Sequence, residues 1–200
     1  MNLIGNTCCS TIITTKFIKQ PISNVFFYNV MDFDSMKNLI ANYDGIDFNK
    51  ASFELRDGFC YAVVDGLVTI CYRHYLHDNT YAYCRDGNDL KSTVILKICK
   101  ENYFKRLERM TEPPIFIVAS RHQTFLRESA DYSPKELLKL LHSRSPYPIC
   151  VASEYEVDFK SSPNREFIHI DKPLISNGVH LAEFVMNRSN MLREKLKTFG

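Results

Sequence analysis

This sequence has no apolar run near the roughly 18 residues of a membrane-spanning helix, and its N-terminus lacks the basic start and apolar core of a secretory leader. Both absences point to a soluble, intracellular chain, placed in the cytoplasm with no membrane partner. No charge of one sign dominates, because 25 Lys and Arg stand against 23 Asp and Glu for a formal net charge of +2. That excess does not by itself mark a nucleic-acid binder, although a local basic face leaves nucleic acid open as a partner. The seven cysteines, at 8, 9, 60, 71, 84, 99 and 150, are odd in number and show no C-x-x-C spacing. A disulfide framework and a zinc ribbon are therefore not expected, and the thiols read as mostly reduced. No G-x-G-x-x-G is present, which argues against nicotinamide or flavin, and the reading carries no cofactor and no metal.

Repeats, low-complexity tracts and Gly/Ser-rich linkers are missing as well. With 200 residues, 45% of them hydrophobic, the chain can bury one core, so 1–200 reads as a single domain. What is present begins with a short apolar run, Asn2-Leu3-Ile4, that breaks at Gly5-Asn6-Thr7 into Cys8-Cys9-Ser10 and a helix over Ser10 to Lys19. A strand over Asn24 to Val30 follows, then a helix capped by Asp32 or Asp34 with Met36, Leu39, Ile40 and Tyr43 at helical spacing. Two β-prone runs, Phe59 to Val64 and Leu67 to Tyr72, flank Asp65-Gly66, which suits a two-residue hairpin turn. His77 to Lys91 reads as one long loop.

From residue 92 the pattern alternates helix and strand. Leu96, Cys99, Tyr103, Leu107 and Met110 keep the helical period up to Pro113-Pro114, and Ile115 to Ala119 is a buried-looking strand. Ser133-Pro134-Lys135-Glu136 combines an N-cap, a first-position proline and a capping-box glutamate. Strands over Pro148 to Ala152 and Phe167 to Ile170 follow, and one long amphipathic helix over Val179 to Lys197. The expected fold is α/β: a single Rossmann-like three-layer domain with one mixed sheet that includes the antiparallel hairpin near 59–72.

In open α/β sheets, ligands bind beyond the carboxyl ends of the parallel strands. Here those ends carry Asn6, Thr7, Cys8 and Cys9; then Ser120, Arg121 and His122; then Ser153 and Glu154; and last Asp171. Polar residues at strand ends are also simply where loops begin. Arg121 beside His122 nevertheless suits a phosphate or carboxylate, since a guanidinium holds oxyanions through a planar fork. A second cluster, Arg73 to Asp78, holds His74 and His77. Either imidazole near Cys8 or Cys9 would make a Cys–His pair, with Asp78 orienting the ring; packing in the sheet and loop hydrogen bonding are the plainer roles. Lys97, Lys100, Lys105, Arg106 and Arg109, interspersed with Glu101 and Glu108, read first as a solvated helix face and second as a phosphate contact.

Leu3-Ile4-Gly5-Asn6-Thr7-Cys8 resembles the opening of domain families of unknown function grouped with papain-like cysteine peptidases. Tyr103 to Arg109 followed by Pro114 to Val118, and Tyr72 to Asp78, are similar to later parts of those families, so the resemblance spans roughly 2–155. It implies Cys8 or Cys9 as nucleophile and His74 or His77 as base, in a thiol hydrolase or acyl transferase. Related families are associated with polysaccharide synthesis.

The leading reading is a small transferase that moves a glycosyl group from a nucleotide-sugar donor, or another phosphorylated ligand, to a glycan, small-molecule or modified nucleic-acid acceptor. In it Asn6, Thr7, Cys8, Ser120, Arg121 and Ser153 bind the donor, and Glu154, Asp171 or His122 takes the acceptor's proton. The alternatives are the Cys–His enzyme and a non-catalytic domain that binds another macromolecule.

Overall fold

The computed structural model describes residues 2–7, 9–19, 24–26, 29–56, 59–72, 89–120, 131–170 and 178–197, with only the backbone at 89–92 and 178. Four strands, β1 (Asn2–Gly5), β6 (Pro114–Ser120), β7 (Ile149–Ser153) and β8 (Arg165–His169), form a parallel sheet in the order β1-β6-β7-β8. The register sets Ile4 beside Phe116, Val118 beside Val151 and Ala152 beside Ile168. Every residue of β6 and β7 is buried, which explains their unbroken apolar runs: a parallel strand covered on both faces has no polar side to show.

Alternation along the strands divides the core in two. Ile4, Phe116, Val118, Ile149 and Val151 face one cluster, which includes Leu137, Leu140 and Leu141 of helix α4 (Pro134–Leu141). Leu3, Ile115, Ile117, Ala119, Cys150, Ala152 and Ile168 face the other, with Cys9 of α1 (Cys9–Ile12) and the helices α5 (Gly178–Arg188) and α6 (Asn190–Lys197). Both faces of the parallel sheet are therefore covered.

The hairpin does not join that sheet. Strands β2 (Asn29–Val30), β3 (Ala51–Arg56), β4 (Phe59–Val64) and β5 (Val68–Tyr72) make a separate antiparallel sheet in the order β2-β5-β4-β3, so two sheets replace the single mixed one expected. The reason lies in β3, a strand the periodicity did not reveal, which pairs with β4 from Ala51↔Val64 to Arg56↔Phe59 while β5 takes the other side. With both neighbours supplied locally, β4 has no edge to offer β1 or β6. Cys60, Ala62, Val64, Val68, Ile70 and Tyr72 turn inward onto the same core cluster as Met36, Leu39 and Ile40 of α2 (Phe33–Asn42).

Several local expectations hold. Asp32 caps α2, its Oδ1 accepting the Ser35 N–H at 2.7 Å. Ser133 and Glu136 form the reciprocal capping box of α4, with Pro134 in its first turn.

Others need correction. Of the strand expected over Asn24 to Val30, Asn29–Val30 is strand and 24–26 is not, while 27–28 lie outside the described residues; Asn24 Oδ1 accepts the Phe26 N–H at 2.9 Å and turns the chain there. The Asp65-Gly66 turn has positive φ at both residues, 50° and 67°, and the Leu67 N–H closes onto the Val64 carbonyl at 3.0 Å. The ladder resumes only at Val64↔Val68, however, so the loop has three residues, with Leu67 left over. The helix expected over Ser10 to Lys19 starts at Cys9 and widens to a π-helix over Ile13–Phe17. There the Thr14 and Thr15 hydroxyls bond the Ser10 and Thr11 carbonyls at 2.9 and 3.0 Å, competing with the α-helical ladder. Tyr43 closes α2 in a 3₁₀ turn, Tyr43–Gly45, rather than within the helix proper.

The C-terminal helix is two helices. Ser189 ends α5 with its N–H on the Val185 carbonyl (2.8 Å), and its Oγ accepts the Leu192 N–H (2.9 Å) to cap α6. Buried Glu166 on β8 holds this joint, taking the Asn190 N–H on Oε1 at 2.8 Å and the Ser189 hydroxyl on Oε2. Finally, α3 spans Asp89–Leu107, so the last residues of the expected 77–91 loop are helical; the periodic signal becomes legible only at Leu96 and Cys99.

Candidate functional site

Parallel strands bring their carboxyl ends to one edge, and here that edge collects Asn6 and Thr7 after β1, Ser120 at the end of β6, and Ser153 and Glu154 at the end of β7. The chain parts twice along it. After β1 the chain enters α1 on one face of the sheet, whereas neighbouring β6 leads to α4 on the opposite face. After β7 it passes under Val157 and Phe159 on the α4 side, whereas β8 leads to α5 on the other. Where neighbouring strands send their connections to opposite faces, a crevice opens between their ends.

Several of the polar residues expected to line it are occupied by the fold. Asn6 is fully buried and continues the ladder with its side chain: Oδ1 accepts the Ala119 N–H at 2.8 Å and Nδ2 donates to the Ala119 carbonyl at 3.0 Å. Ser120 is equally buried and clasps Tyr132 by both backbone groups, accepting its N–H at 2.7 Å and donating to its carbonyl at 2.9 Å. Thr7 Oγ1 accepts the Cys9 N–H at 3.3 Å, and Ser153 Oγ accepts the Tyr155 N–H at 3.0 Å. These four residues shape the edge with groups that face inward.

Gly5 has a structural reason of its own. A Cβ there would sit 2.6 Å from Ser10 Oγ and 2.9 Å from the Ile117 carbonyl, so close approach of α1 to β6 requires glycine. Cys9 is buried at 1% exposure beneath the same turn, in the core between the parallel sheet and α5. A thiol so placed is a packing group rather than an accessible nucleophile. Cys8, His74, His77, Asp78, Arg121, His122 and Asp171 lie outside the described residues.

Around the β7 end the groups are more open. Glu154 is half-buried, with its N–H bonded to the Ser120 carbonyl at 3.3 Å, which fixes its backbone against β6. Tyr155 reaches across to Asp131, 3.4 Å from Oδ2, joining the β7 end to the approach to α4. Partial desolvation, then the hydrogen bond and charge of Asp131 and the nearby Glu154, raises the Tyr155 phenol above its ordinary value. His169, beside Ser153 in the register of β8, stands 4.0 Å through Nδ1 from Glu156 Oε1. Sequence reasoning did not single out Asp131, Glu156 or His169. The alternation Glu154-x-Glu156 after a buried strand, with a histidine ending the next, was the available signal.

The edge also runs past the start of α2. The Met31 N–H bonds the Asn6 carbonyl at 3.2 Å, and the Tyr132 hydroxyl donates to the Met31 and Asp32 carbonyls at 2.8 and 3.0 Å. Burial drives the Tyr132 phenol well above its usual range, opposed by a hydrogen bond from the Asn6 side chain. Asp32-Phe33-Asp34 thus opens α2 next to the β1 end, a D-x-D spacing of a kind that can hold a cation, which corrects the expectation that no carboxylate pair has that spacing. One carboxylate of the pair is committed to capping, and no group of three or more potential metal ligands gathers among the described residues.

This edge therefore presents the Glu154 carboxylate at a backbone-fixed position, next in sequence to Tyr155 and its Asp131 partner, with the His169–Glu156 contact at the β8 end. Among the described residues no helix is long and apolar enough to cross a membrane. Compared with known proteins, the chain matches no family model, no curated sequence and no solved structure.

Proposed function

We propose that this chain is a small Rossmann-like transferase that takes a phosphorylated donor, most simply a nucleotide sugar, into the carboxyl edge of its parallel sheet. What carries the reading is the parting of β7 and β8 to opposite faces with Glu154 standing at the parting. Coverage of both faces of the parallel sheet supports the three-layer description. In the reaction, the acceptor hydroxyl oxygen bonds the anomeric carbon while the bond from that carbon to the donor diphosphate breaks. The diphosphate leaves with the electron pair, and Glu154 takes the hydroxyl proton.

Arg121 remains the proposed diphosphate contact, with Asp171 and His122 as further candidates for proton transfer. Asn6, Thr7, Ser120 and Ser153 enter as positioning groups, since their side chains hold the strand ends in place. The burial of Cys9 argues against that residue as a nucleophile, while Cys8 lies outside the described residues.

Thermal-shift and calorimetric titration with nucleotide sugars, with and without Mg²⁺, tests the reading. A donor at 100 times its Kd stabilises the fold by about 2.7 kcal/mol. Glu154→Gln should keep that shift and lower turnover by roughly 10²–10⁴-fold. Absence of binding by every donor, or turnover unchanged in Glu154→Gln, would overturn it.

A further inference from the structure

In the order β2-β5-β4-β3, strand β3 has a neighbour on one side only among the described residues. The Asp65 N–H bonds the Lys50 carbonyl at 2.7 Å, which makes 50 and 65 a hydrogen-bonded pair in the register of β3 and β4. By the alternation of an antiparallel ladder, the N–H and C=O groups of Ala51, Phe53 and Leu55 then point to the open side. No group among the described residues pairs with them there. A row of unpaired backbone groups is a template for another strand.

Two depressions border this edge. One, of about 330 Å³, lies between Ala51, Ser52 and Phe53 and the α3 residues Leu96, Lys97 and Lys100. The other, of about 460 Å³, runs from Asn49 and Lys50 to Asp65 and Gly66. Their charges differ. Lys50 is shared between Asp47 and Asp65, at 3.7 Å from each. On α3, Lys97 is 75% exposed with Glu101 4.0 Å away, and Lys100 has no acidic partner among the described residues. The α3 rim therefore carries uncompensated positive charge beside an apolar floor.

We propose that the open edge of β3 receives an extended acidic segment of a partner protein as a fifth strand, its carboxylates resting on Lys97 and Lys100. Main-chain pairing would supply affinity and the lysines would select charge. A second copy of β3 fits less well. Paired antiparallel about Phe53, it would set Lys50 opposite Arg56 and bring only Ala51, Phe53 and Leu55 to the α3 side, none of them acidic. The proposal is independent of the transferase reading.

The test uses the full chain and a blocked peptide, acetyl-Thr-Glu-Val-Glu-Val-Glu-Thr-amide, followed by amide NMR and calorimetry. Binding should perturb the amides of Ala51, Phe53 and Leu55. Lys97→Glu with Lys100→Glu, both on an exposed helix face, should weaken it by about tenfold. Two versions of the peptide, N-methylated at alternate residues, should differ: one blocks the pairing side and loses binding, the other keeps it. Equal binding by a peptide with lysine in place of glutamate would overturn the proposal, as would equal binding by both methylated forms or no perturbation at β3. Concentration-dependent dimers that protect the same amides would overturn it in favour of a second copy.

Discussion

Removing the Glu166 carboxylate should uncouple the end of α5 from the start of α6. Glu166 sits on β8 at 8% exposure and accepts two hydrogen bonds, the Asn190 N–H at 2.8 Å and the Ser189 hydroxyl. Hydrogen bonds to a charged group contribute about 1.5–3 kcal/mol each. A carboxylate at a helix N-terminus adds about 0.3–1 kcal/mol. Against this stands the cost of burying the charge, which is returned when the group is deleted. The balance for Glu166→Ala is a loss of about 2–4 kcal/mol, or a Tm lower by about 4–16 °C for a domain of this size. Glu166→Gln keeps one acceptor and should cost about half as much. Urea unfolding followed by far-UV circular dichroism measures both. Ser189→Ala in the same background should be less than additive, since the two residues share one bond. A Glu166→Ala protein within about 0.5 kcal/mol of the parent would refute the argument that this carboxylate builds the joint.

Three further outcomes are expected. Gly5→Ala should destabilise by about 1–3 kcal/mol in the same assay, because the new methyl meets the Ile117 carbonyl as well as the movable Ser10 hydroxyl; an unchanged midpoint would mean that β1 and β6 can separate freely. Ser133→Ala should cost about 1 kcal/mol through loss of the capping box, and Ser133→Asp should restore most of it. Tyr43 gives a pH signature. Burial first, then the neighbouring Tyr147, pushes its phenol from 10.0 up to about 12, so the folded state favours the neutral form. That stability is complete below the unfolded pKa and disappears as pH rises toward the folded one, so Tyr43→Phe should flatten the loss of stability measured from about pH 10 to 12.

Local chemistry was legible in the sequence, and long-range partnership was not. The positive φ at Asp65 and Gly66, the Ser133 capping box and the buried runs of β6 and β7 are each decided within a few residues, and each was read there, whereas α3 ends at Leu107, well before the Pro113-Pro114 pair expected to stop it. The break at Ser189 depends on Glu166, a residue of another element, so a continuous amphipathic pattern across it concealed two helices. Ala51–Arg56 lacks β-branched residues, and as a half-buried edge strand it needed few of them. Missing that strand led directly to the wrong assignment of the hairpin to the parallel sheet. At the candidate site, position was read better than role. Asn6 and Ser120 lie at strand ends as expected, yet an amide or hydroxyl bound to its neighbour's backbone has the same letter in the sequence as one bound to a ligand.

The pairing of β1 with β6 also sets an order in time. The antiparallel sheet lies wholly within 29–72 and joins β3, β4 and β5 in succession, so its pairing needs only nearby chain. Asn6 and Ala119, by contrast, are 113 residues apart. At roughly 5–20 residues per second on the ribosome, β1 waits about 6–23 s for its partner. During that interval Leu3 and Ile4 have no parallel strand to cover them, whereas α2 and the antiparallel sheet can already close on each other. The paired ends of β1 and β6 are thus among the last features to form. Ribosome-bound chains stalled before residue 114 should protect the amides of β4 and β5 from hydrogen exchange and leave those of β1 open.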